Sequence, residues 1–147
     1  MTNFVNMLFT GQQLKRLYDG VMRATPGAES LTRNELDVLL FLANNPGYDT
    51  ARDITELRGL TKSHVCQSVE SLTARGYLSG AQDRRDRRLV HLQVLPPALP
   101  VIEAARASQA RFMEVLYRGV TEEERAAAEQ FFAKIENNVK EALNHGY

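Results

Sequence analysis

The sequence has too few cysteines, too little excess charge and too short apolar runs for several classes of protein. Its one cysteine, Cys66, has no partner for an internal disulfide, which excludes a disulfide-built secreted scaffold and favours a reducing compartment. Lys and Arg total 18 and Asp and Glu also total 18, so the chain as a whole is not a histone-like polycation.

No segment approaches the ~18 consecutive apolar residues of a membrane-spanning helix. The N-terminal segment places its apolar residues before its first basic pair, which is the reverse of the order in a secretory signal. We therefore expect a cytoplasmic protein. The length of 147 residues, with 44% hydrophobic and 24% charged residues, predicts one globular domain over residues 1–147.

The neutral total conceals a basic middle segment. Residues 51–95 contain eight basic and five acidic side chains, a net charge of +3. The segments before and after it carry net charges of −1 and −2. Local positive charge is typical of a surface that contacts a polyanion, although a solvated surface with scattered charge gives the same count.

Apolar side chains recur every three or four residues near both ends of the chain, which predicts long amphipathic helices. One intramolecular bundle is an alternative, but these stripes are too extensive for one small lobe to cover. We therefore expect a homodimer, since obligate dimer interfaces resemble a core cut in half. The expected interface residues are Leu14, Tyr18, Phe132, Ile135 and Val139.

The middle of the chain has a different pattern. Helical spacing covers residues 34–43 and 51–58, the latter with Thr50 as its cap, and a third helix runs from Thr61 to about Arg75. A period of two then predicts strands around 77–79 and 89–94.

The predicted fold class follows from this order of elements. It is mainly α with a small β-hairpin wing: a winged helix-turn-helix lobe plus N- and C-terminal dimerisation helices. The lobe covers residues 31–95, and the dimerisation region covers 1–30 and 96–147.

The third helix of the lobe has one apolar and one polar face. At ~100° per residue, Val65, Val69 and Leu72 share a face that we expect to be buried. Near its start, Ser63 and Gln67 point away from that face, and Lys62 and His64 lie beside the first turn. Donors in these positions suit base edges and phosphates, although many surface helices are equally polar. These donors are Lys62, Ser63, His64 and Gln67.

The predicted hairpin tip, residues 83–88, carries four arginines and two aspartates. Arginines on a thin loop fit the narrow, electronegative minor groove of DNA, and a solvated turn is the alternative. We expect Asp83 and Asp86 each to brace a neighbouring arginine by a charge-assisted pair.

These residues together resemble the MarR family of bacterial transcription regulators. The resemblance runs from Leu31 to Val94 and includes the turn Gly59–Val65 and the segment Leu72–Leu78. In the wing, the family's Asp-x-Arg-Asp-x-Arg signature is matched at Asp83, Arg85, Asp86 and Arg88.

The resemblance implies a homodimer that binds pseudo-palindromic operators, with a recognition helix in the major groove and the wing in the minor groove. Half-sites would then lie ~10 bp apart or a multiple of that. It also implies release by a small phenolic or anionic effector or by oxidation, as for a ligand- or stress-responsive repressor. The expected DNA-binding residues are Thr50, Arg52, Thr61, Lys62, Ser63, His64, Gln67, Arg84, Arg85, Arg87 and Arg88.

Two positions depart from the family pattern. Leu95 and Ala98, separated by two prolines, stand where the family has threonine and then glycine, so the next helix is expected to start differently. Leu57 is displaced by one position in the helix before the turn, which leaves that helix's packing open.

An enzyme is the less favoured alternative. The three histidines are scattered, and no metal-binding or phosphate-binding motif is present. Arginines beside Asp83 and Asp86 would keep both carboxylates ionised, which does not suit acid catalysis. We expect no catalytic residues, no metal and no cofactor. A second alternative is a winged-helix protein that acts through protein–protein contacts.

Cys66 lies within the recognition helix, between the buried and exposed faces. Oxidation sensing is one interpretation, but a small half-buried hydrophobic residue is the favoured one. The sequence does not identify the effector, its pocket, the operator, or whether the protein represses or activates.

Overall fold

The computed structural model describes residues 3–147, which form six α-helices, a short 3₁₀ turn and one two-stranded β-hairpin, and this confirms the predicted fold class. The elements are α1 (Asn3–Arg23), α2 (Arg33–Asn44), α3 (Ala51–Arg58), α4 (Lys62–Ala74), β1 (Leu78–Gln82), β2 (Val90–Val94), a 3₁₀ turn (Pro96–Ala98), α5 (Leu99–Leu116) and α6 (Glu122–His145). The described residues divide into two compact units, one through Phe112 and one from Met113 to Tyr147.

Threonine side chains cap the helices that the sequence predicts most clearly. Thr32, Thr50 and Thr121 each accept a hydrogen bond from the backbone N–H three residues later, and the acid at that position accepts one from the threonine N–H. Thr61 makes the first of these bonds, to the N–H of His64. Each cap satisfies backbone donors that a helix leaves unpaired, which fixes where the helix begins.

The hairpin is antiparallel and longer than predicted. Its register pairs Leu78 with Val94 and Gln82 with Val90, so β1 extends beyond the predicted residues 77–79. Gly80 explains the difference, because a Cβ there would lie 2.8 Å from Cγ1 of Val90. A residue that weakens the strand pattern in the sequence thus makes room for the neighbouring strand.

The core of the first unit lies beneath α2, α3, α4 and the hairpin. Val65 and Leu72 of α4 are fully buried, and Val69 packs against the same core, as the helical spacing predicted. From α2, Val38 and Leu39 are fully buried. This packing fixes which face of α4 is left in contact with solvent.

The start of α5 differs from the family pattern in the expected place. Pro96–Ala98 forms a 3₁₀ turn, and Leu95 precedes it in extended conformation. Proline at the first position of a helix is compatible with helical dihedrals, so the two prolines start the helix here instead of the usual threonine and glycine.

The two terminal helices carry exposed apolar side chains. In α6 no residue is buried, and Phe131, Phe132 and Val139 are each more than half exposed. In α1, Phe4, Leu8 and Phe9 are also more than half exposed. Among residues 3–147, no helix combines the length and apolar character needed to cross a membrane.

We predict that Gly59→Ala lowers the free energy of unfolding by about 1–2 kcal/mol, as measured by urea denaturation. Gly59 ends α3 with φ of 75°, a left-handed conformation that disfavours any side chain. The matched control is Gly20→Ala within α1, where an added Cβ meets no atom within 4 Å. That variant should be stabilised by about 0.5–1 kcal/mol, because alanine is the better helix former. Equal effects at the two glycines would contradict the prediction.

Candidate nucleic-acid interface

The helix-turn-helix is held by local interactions at the junction of α3 and α4. Gly59 reverses the chain in a left-handed conformation, and Thr61 caps the first turn of α4. The N-terminus of α4 is therefore exposed and well formed. Its backbone N–H groups and helix dipole favour a negatively charged ligand at this end.

The polar donors predicted on α4 all face solvent. Ser63 and Gln67 lie on the side opposite Val65, and Lys62 and His64 flank them on the first turn. The exposed residues of this set are Lys62, Ser63, His64 and Gln67. Their exposure makes the side chains available to a partner, and the contact itself stays a prediction.

Both threonines that are predicted to bind DNA also cap helices. The Thr50 hydroxyl accepts from the Asp53 N–H and lies 2.8 Å from the carboxylate oxygen of Asp53. The Thr61 hydroxyl accepts from the His64 N–H. These hydroxyls cap helices that carry the other candidate residues.

Arg52 is exposed on α3 and pairs with Glu56 one turn later, with Nε and Oε1 2.8 Å apart. The hydrogen bond and the charge of Glu56 raise the pKa of the Arg52 guanidinium. Both side chains are mostly exposed, so this pair adds little stability.

The wing presents its arginines to solvent. Asp86 accepts hydrogen bonds from the backbone N–H and the Nε of Arg88, which agrees with the bracing expected for Asp86. The Arg88 side chain nevertheless remains 92% exposed. The other three wing arginines are exposed and make no ion pair within residues 3–147; they are Arg84, Arg85 and Arg87.

Asp83 does not brace an arginine side chain, and this part of the prediction is wrong. Its Oδ1 accepts from the backbone N–H groups of Arg85 and Asp86, each at 2.8 Å. An aspartate that accepts from the second and third following residues closes a turn, which is a local preference stronger than pairing with a mobile guanidinium. Asp83 therefore shapes the backbone of the wing.

His91 on β2 takes part in an interaction that the sequence did not predict. Its Nδ1 lies 2.8 Å from Oδ1 of Asp49, and its Nε2 lies 2.8 Å from Oδ2 of Asp83. Hydrogen bonds to Asp83 and Asp49 raise the pKa of His91 to about 9. The pKa of Asp83 falls to about 2, mainly because of its hydrogen bond to His91 and the bonds that it accepts from the N–H groups of Asp86 and Arg85.

The contact between His91 and Asp83 could have been predicted from the pairing of the two strands. His91 pairs with Ala81, and Asp83 lies two residues beyond Ala81, on the same side of the strand. Diagonal neighbours on one side of a hairpin are within reach of long side chains. The contribution of Asp49, 42 residues away, had no such signal.

A groove of about 340 Å³ joins α3, α4 and the base of the wing. Thr50, Arg52, Cys66 and Arg88 all line it. The fold thus brings together candidate residues from three elements on one concave face. Gln67 and Arg85 are exposed outside this lining.

Cys66 is exposed, which overturns the expectation of a half-buried hydrophobic residue. Val65 and Val69 take the positions that face the core, and Cys66 is turned toward the groove instead. The groove beside α4 is open on this side, so the thiol has no core to pack against. A role of Cys66 in oxidation sensing stays a prediction.

Two basic residues of the middle segment serve the fold. Arg58 pairs with the buried carboxylate of Asp37 at 3.4 Å. Arg75 pairs with the buried Glu35 at 3.5 Å and donates to the backbone carbonyl of Ser30 at 2.7 Å. The positive charge available to a partner is therefore concentrated in the wing and at the start of α4.

The folded lobe is a winged helix-turn-helix: two short helices joined by a glycine turn, followed by a hairpin with a basic tip. A sequence model of the MarR family matches residues 29–89, which covers most of this lobe. This segment is similar to the MarR family of transcription regulators, and the match covers less than half of the chain. The match agrees with the expectation of a transcription regulator.

Solved structures of transcription regulators share the fold. Bordetella bronchiseptica BpsR, whose DNA binding is regulated by 6-hydroxynicotinic acid, is 21% identical, with a TM-score of 0.70 over 91% of this chain and 99% of that one. A MarR protein from Peptoclostridium difficile is 22% identical, with a TM-score of 0.78 over 91% and 87%. The PcaV regulator from Streptomyces coelicolor, solved with its natural ligand, is 25% identical, with a TM-score of 0.64 over 86% and 91%. No curated protein sequence matches the chain.

Proposed function

We propose that this protein is a cytoplasmic homodimer that binds pseudo-palindromic operators and represses transcription until a small effector, or a stress signal, releases it. Two recognition helices α4 enter successive major grooves, and the two wings contact the flanking minor grooves. The observation that carries the proposal is the convergence of α3, α4 and the wing on one concave face with exposed cations.

The geometry supports different tasks for α4 and the wing. Gln67 and its neighbours near the start of α4 carry donors and acceptors that can pair with base edges. The wing arginines carry charge on a thin hairpin, which suits phosphates and the minor groove but distinguishes few sequences.

We predict that Gln67→Ala weakens binding to the preferred operator more than binding to random DNA. A good base contact provides ~1–3 kcal/mol of discrimination, so the ratio of the two affinities should fall by about tenfold with little change in salt dependence. Fluorescence anisotropy with an operator obtained by in vitro selection provides the measurement. An equal loss on both DNAs would contradict base readout by Gln67.

We predict that Arg85→Ala or Arg88→Ala weakens binding to all sequences. Each variant should also lower the slope of log K against log salt by about one unit for every phosphate that its arginine neutralises in the wild-type complex. Arg111→Ala is the matched control, because Arg111 is exposed on α5 outside the concave face. A wild-type protein that binds no DNA at low salt would favour the alternative, a winged helix that contacts only proteins.

The exposed apolar faces of α1 and α6 support a second copy of the chain as their occupant. Leu14, Phe132 and Val139 are exposed, and Ile135 is half-buried. Tyr18 is partly engaged within its own unit, since its hydroxyl accepts from Gln109 at 2.9 Å and its ring packs edge-on against Phe112. Interface contacts of Tyr18 can therefore involve only its remaining exposed edge.

We predict that replacing Ile135 and Val139 together with aspartate shifts the protein from dimer to monomer or unfolds it, because charges cannot be buried without partners. Sedimentation velocity at micromolar concentration measures the change. The control is Glu141→Lys on the same helix, an exposed charge reversal outside the apolar stripe. A wild-type monomer at this concentration would contradict the dimer.

The structure also supports a small anionic effector. A groove of about 280 Å³ between the end of α1 and the start of α2 is lined by Met22, Leu36, Arg23 and Arg33. Nη1 of Arg33 is buried without a hydrogen-bond partner among residues 3–147, whereas Nη2 of the same guanidinium lies 3.2 Å from Oδ1 of Asp37 and 3.8 Å from Oδ1 of Asp19. A buried donor without a partner is costly, and a carboxylate can satisfy it.

We predict that an aromatic carboxylate binds this groove, with 6-hydroxynicotinic acid as the first probe because it acts on a protein of the same fold. Arg33→Gln should weaken binding about tenfold, as measured by isothermal titration calorimetry. The corresponding amide, which lacks the negative charge, should bind more weakly than the acid. Equal binding of acid and amide, or no effect of Arg33→Gln, would contradict this site.

A further inference from the structure

His91 lies between two carboxylates that come from different parts of the lobe. Asp49 precedes Thr50, the residue that caps α3, whereas Asp83 follows β1 at the start of the wing tip. The two ring nitrogens each lie 2.8 Å from one carboxylate oxygen. The side chains of Asp49, His91 and Asp83 form a continuous bridge from α3 to the wing, which we call the wing clamp.

The wing clamp needs a protonated imidazole. Both of its acceptors are carboxylates, and both ring nitrogens can donate only when the ring is an imidazolium. A neutral ring donates to one carboxylate and turns a lone pair toward the other. Loss of the proton therefore breaks one of the two bonds and leaves two like charges facing each other across the ring.

Asp83 transmits the position of the clamp to the wing tip. Its Oδ2 contacts His91, while its Oδ1 accepts from the backbone N–H groups of Arg85 and Asp86. The same carboxylate thus holds the turn that carries the arginines. A backbone bond from the Leu92 N–H to the Asp49 carbonyl, at 2.7 Å, ties the middle of β2 to the same loop. Of these two attachments between β2 and the loop before α3, the wing clamp lies nearer the tip of the wing.

We propose that His91 is a positioning residue for DNA binding, which orients the wing relative to α3 through the Asp49–His91–Asp83 clamp and releases it when the imidazole loses its proton. This proposal rests on the proposed DNA-binding function. The wing would consequently be fixed for minor-groove contact at neutral pH and mobile in alkaline conditions.

The charged groups that face His91 are Asp49, from the loop before α3, and Asp83, from the end of β1. Both favour the protonated ring and raise the pKa of His91 from 6.5 to about 9. The stabilisation by His91 is therefore complete below pH 6.5 and is lost as the pH rises through about 9. The pKa of Asp83 falls from 3.8 to about 2, so its contribution is present above pH 3.8 and is lost as the pH falls through about 2.

The clamp itself can be tested without DNA. The ring nitrogens of His91 in ¹⁵N-labelled wild-type protein are followed by NMR from pH 6 to 10. We expect a titration midpoint near the pKa of about 9, and a lower midpoint in the Asp49→Asn variant. A wild-type midpoint near the ordinary pKa of 6.5 would overturn the clamp, whatever the protein binds.

The effect on DNA is tested by fluorescence anisotropy at fixed salt, first at pH 7.5. If charge alone matters, Asp49→Asn should strengthen binding, because it removes an acid near DNA. We expect it instead to weaken binding by at least about fivefold, and we expect His91→Gln to weaken binding by a similar factor. The matched control is Glu70→Gln, which removes an exposed acid of the same groove outside the clamp and should bind DNA more tightly. Tighter binding by Asp49→Asn would overturn the positioning role.

The pH dependence gives a readout that loss of structure would not produce. Wild-type affinity should fall at least about fivefold between pH 8 and 10. His91→Gln should lose this component, whereas His64→Gln, which removes the histidine on α4, should keep it. The same pH dependence in wild type and His91→Gln would also overturn the proposal. If no variant binds DNA but the NMR midpoint is near 9, the proposed function fails and the clamp stands.

Discussion

The orientation of α4 depends on the burial of one narrow apolar face, and the rest of the candidate interface depends on that orientation. Val65 and Leu72 are completely buried, at ~1.5–3 kcal/mol for each side chain of this size. Rotation of α4 by a quarter turn would expose them and bury Lys62 or His64. The hydrophobic core therefore determines which side chains α4 can offer to a partner, although no core residue contacts that partner.

The middle segment divides its positive charge between the fold and the surface. Arg75 pairs with Glu35, and Arg58 shares Asp37 with Arg33, so both of these buried acids of α2 have a cationic partner. The main effect of such an ion pair is to avoid the large cost of a buried, unpaired charge, and its net contribution to stability is small. The wing arginines have no buried acid to neutralise, so their charge is available to solvent or to DNA.

The sequence predicted what local physics controls. The Thr50 cap, the turn at Gly59, the start of α4 at Thr61 and the helical spacing of Val65 and Leu72 act over a few residues, and the sequence predicted each of them. Gly80 was misleading, because its value to the hairpin is the space that it leaves for Val90.

Contacts between residues far apart in the chain could not be predicted from the sequence. The pairing of Arg75 with Ser30 and that of His91 with Asp49 join residues more than 40 positions apart. The exposure of Cys66 likewise depends on the shape of the groove formed by α3, α4 and the wing. A helical wheel gives an angle for Cys66, but only the packed neighbours determine what lies at that angle.

The wing combines two requirements that oppose each other. Acids must be present to shape the turn and hold Arg88, yet every acid weakens the field that attracts DNA. His91 reconciles them, because an imidazolium between Asp49 and Asp83 offsets one negative charge while it donates to each of them. The four wing arginines together with Asp49, Asp83, Asp86 and His91 have a net charge of +2 when His91 is protonated and +1 when it is neutral. A neutral residue at position 91 would leave this set of charges less positive and would remove the imidazolium that bridges Asp49 and Asp83 in the proposed clamp.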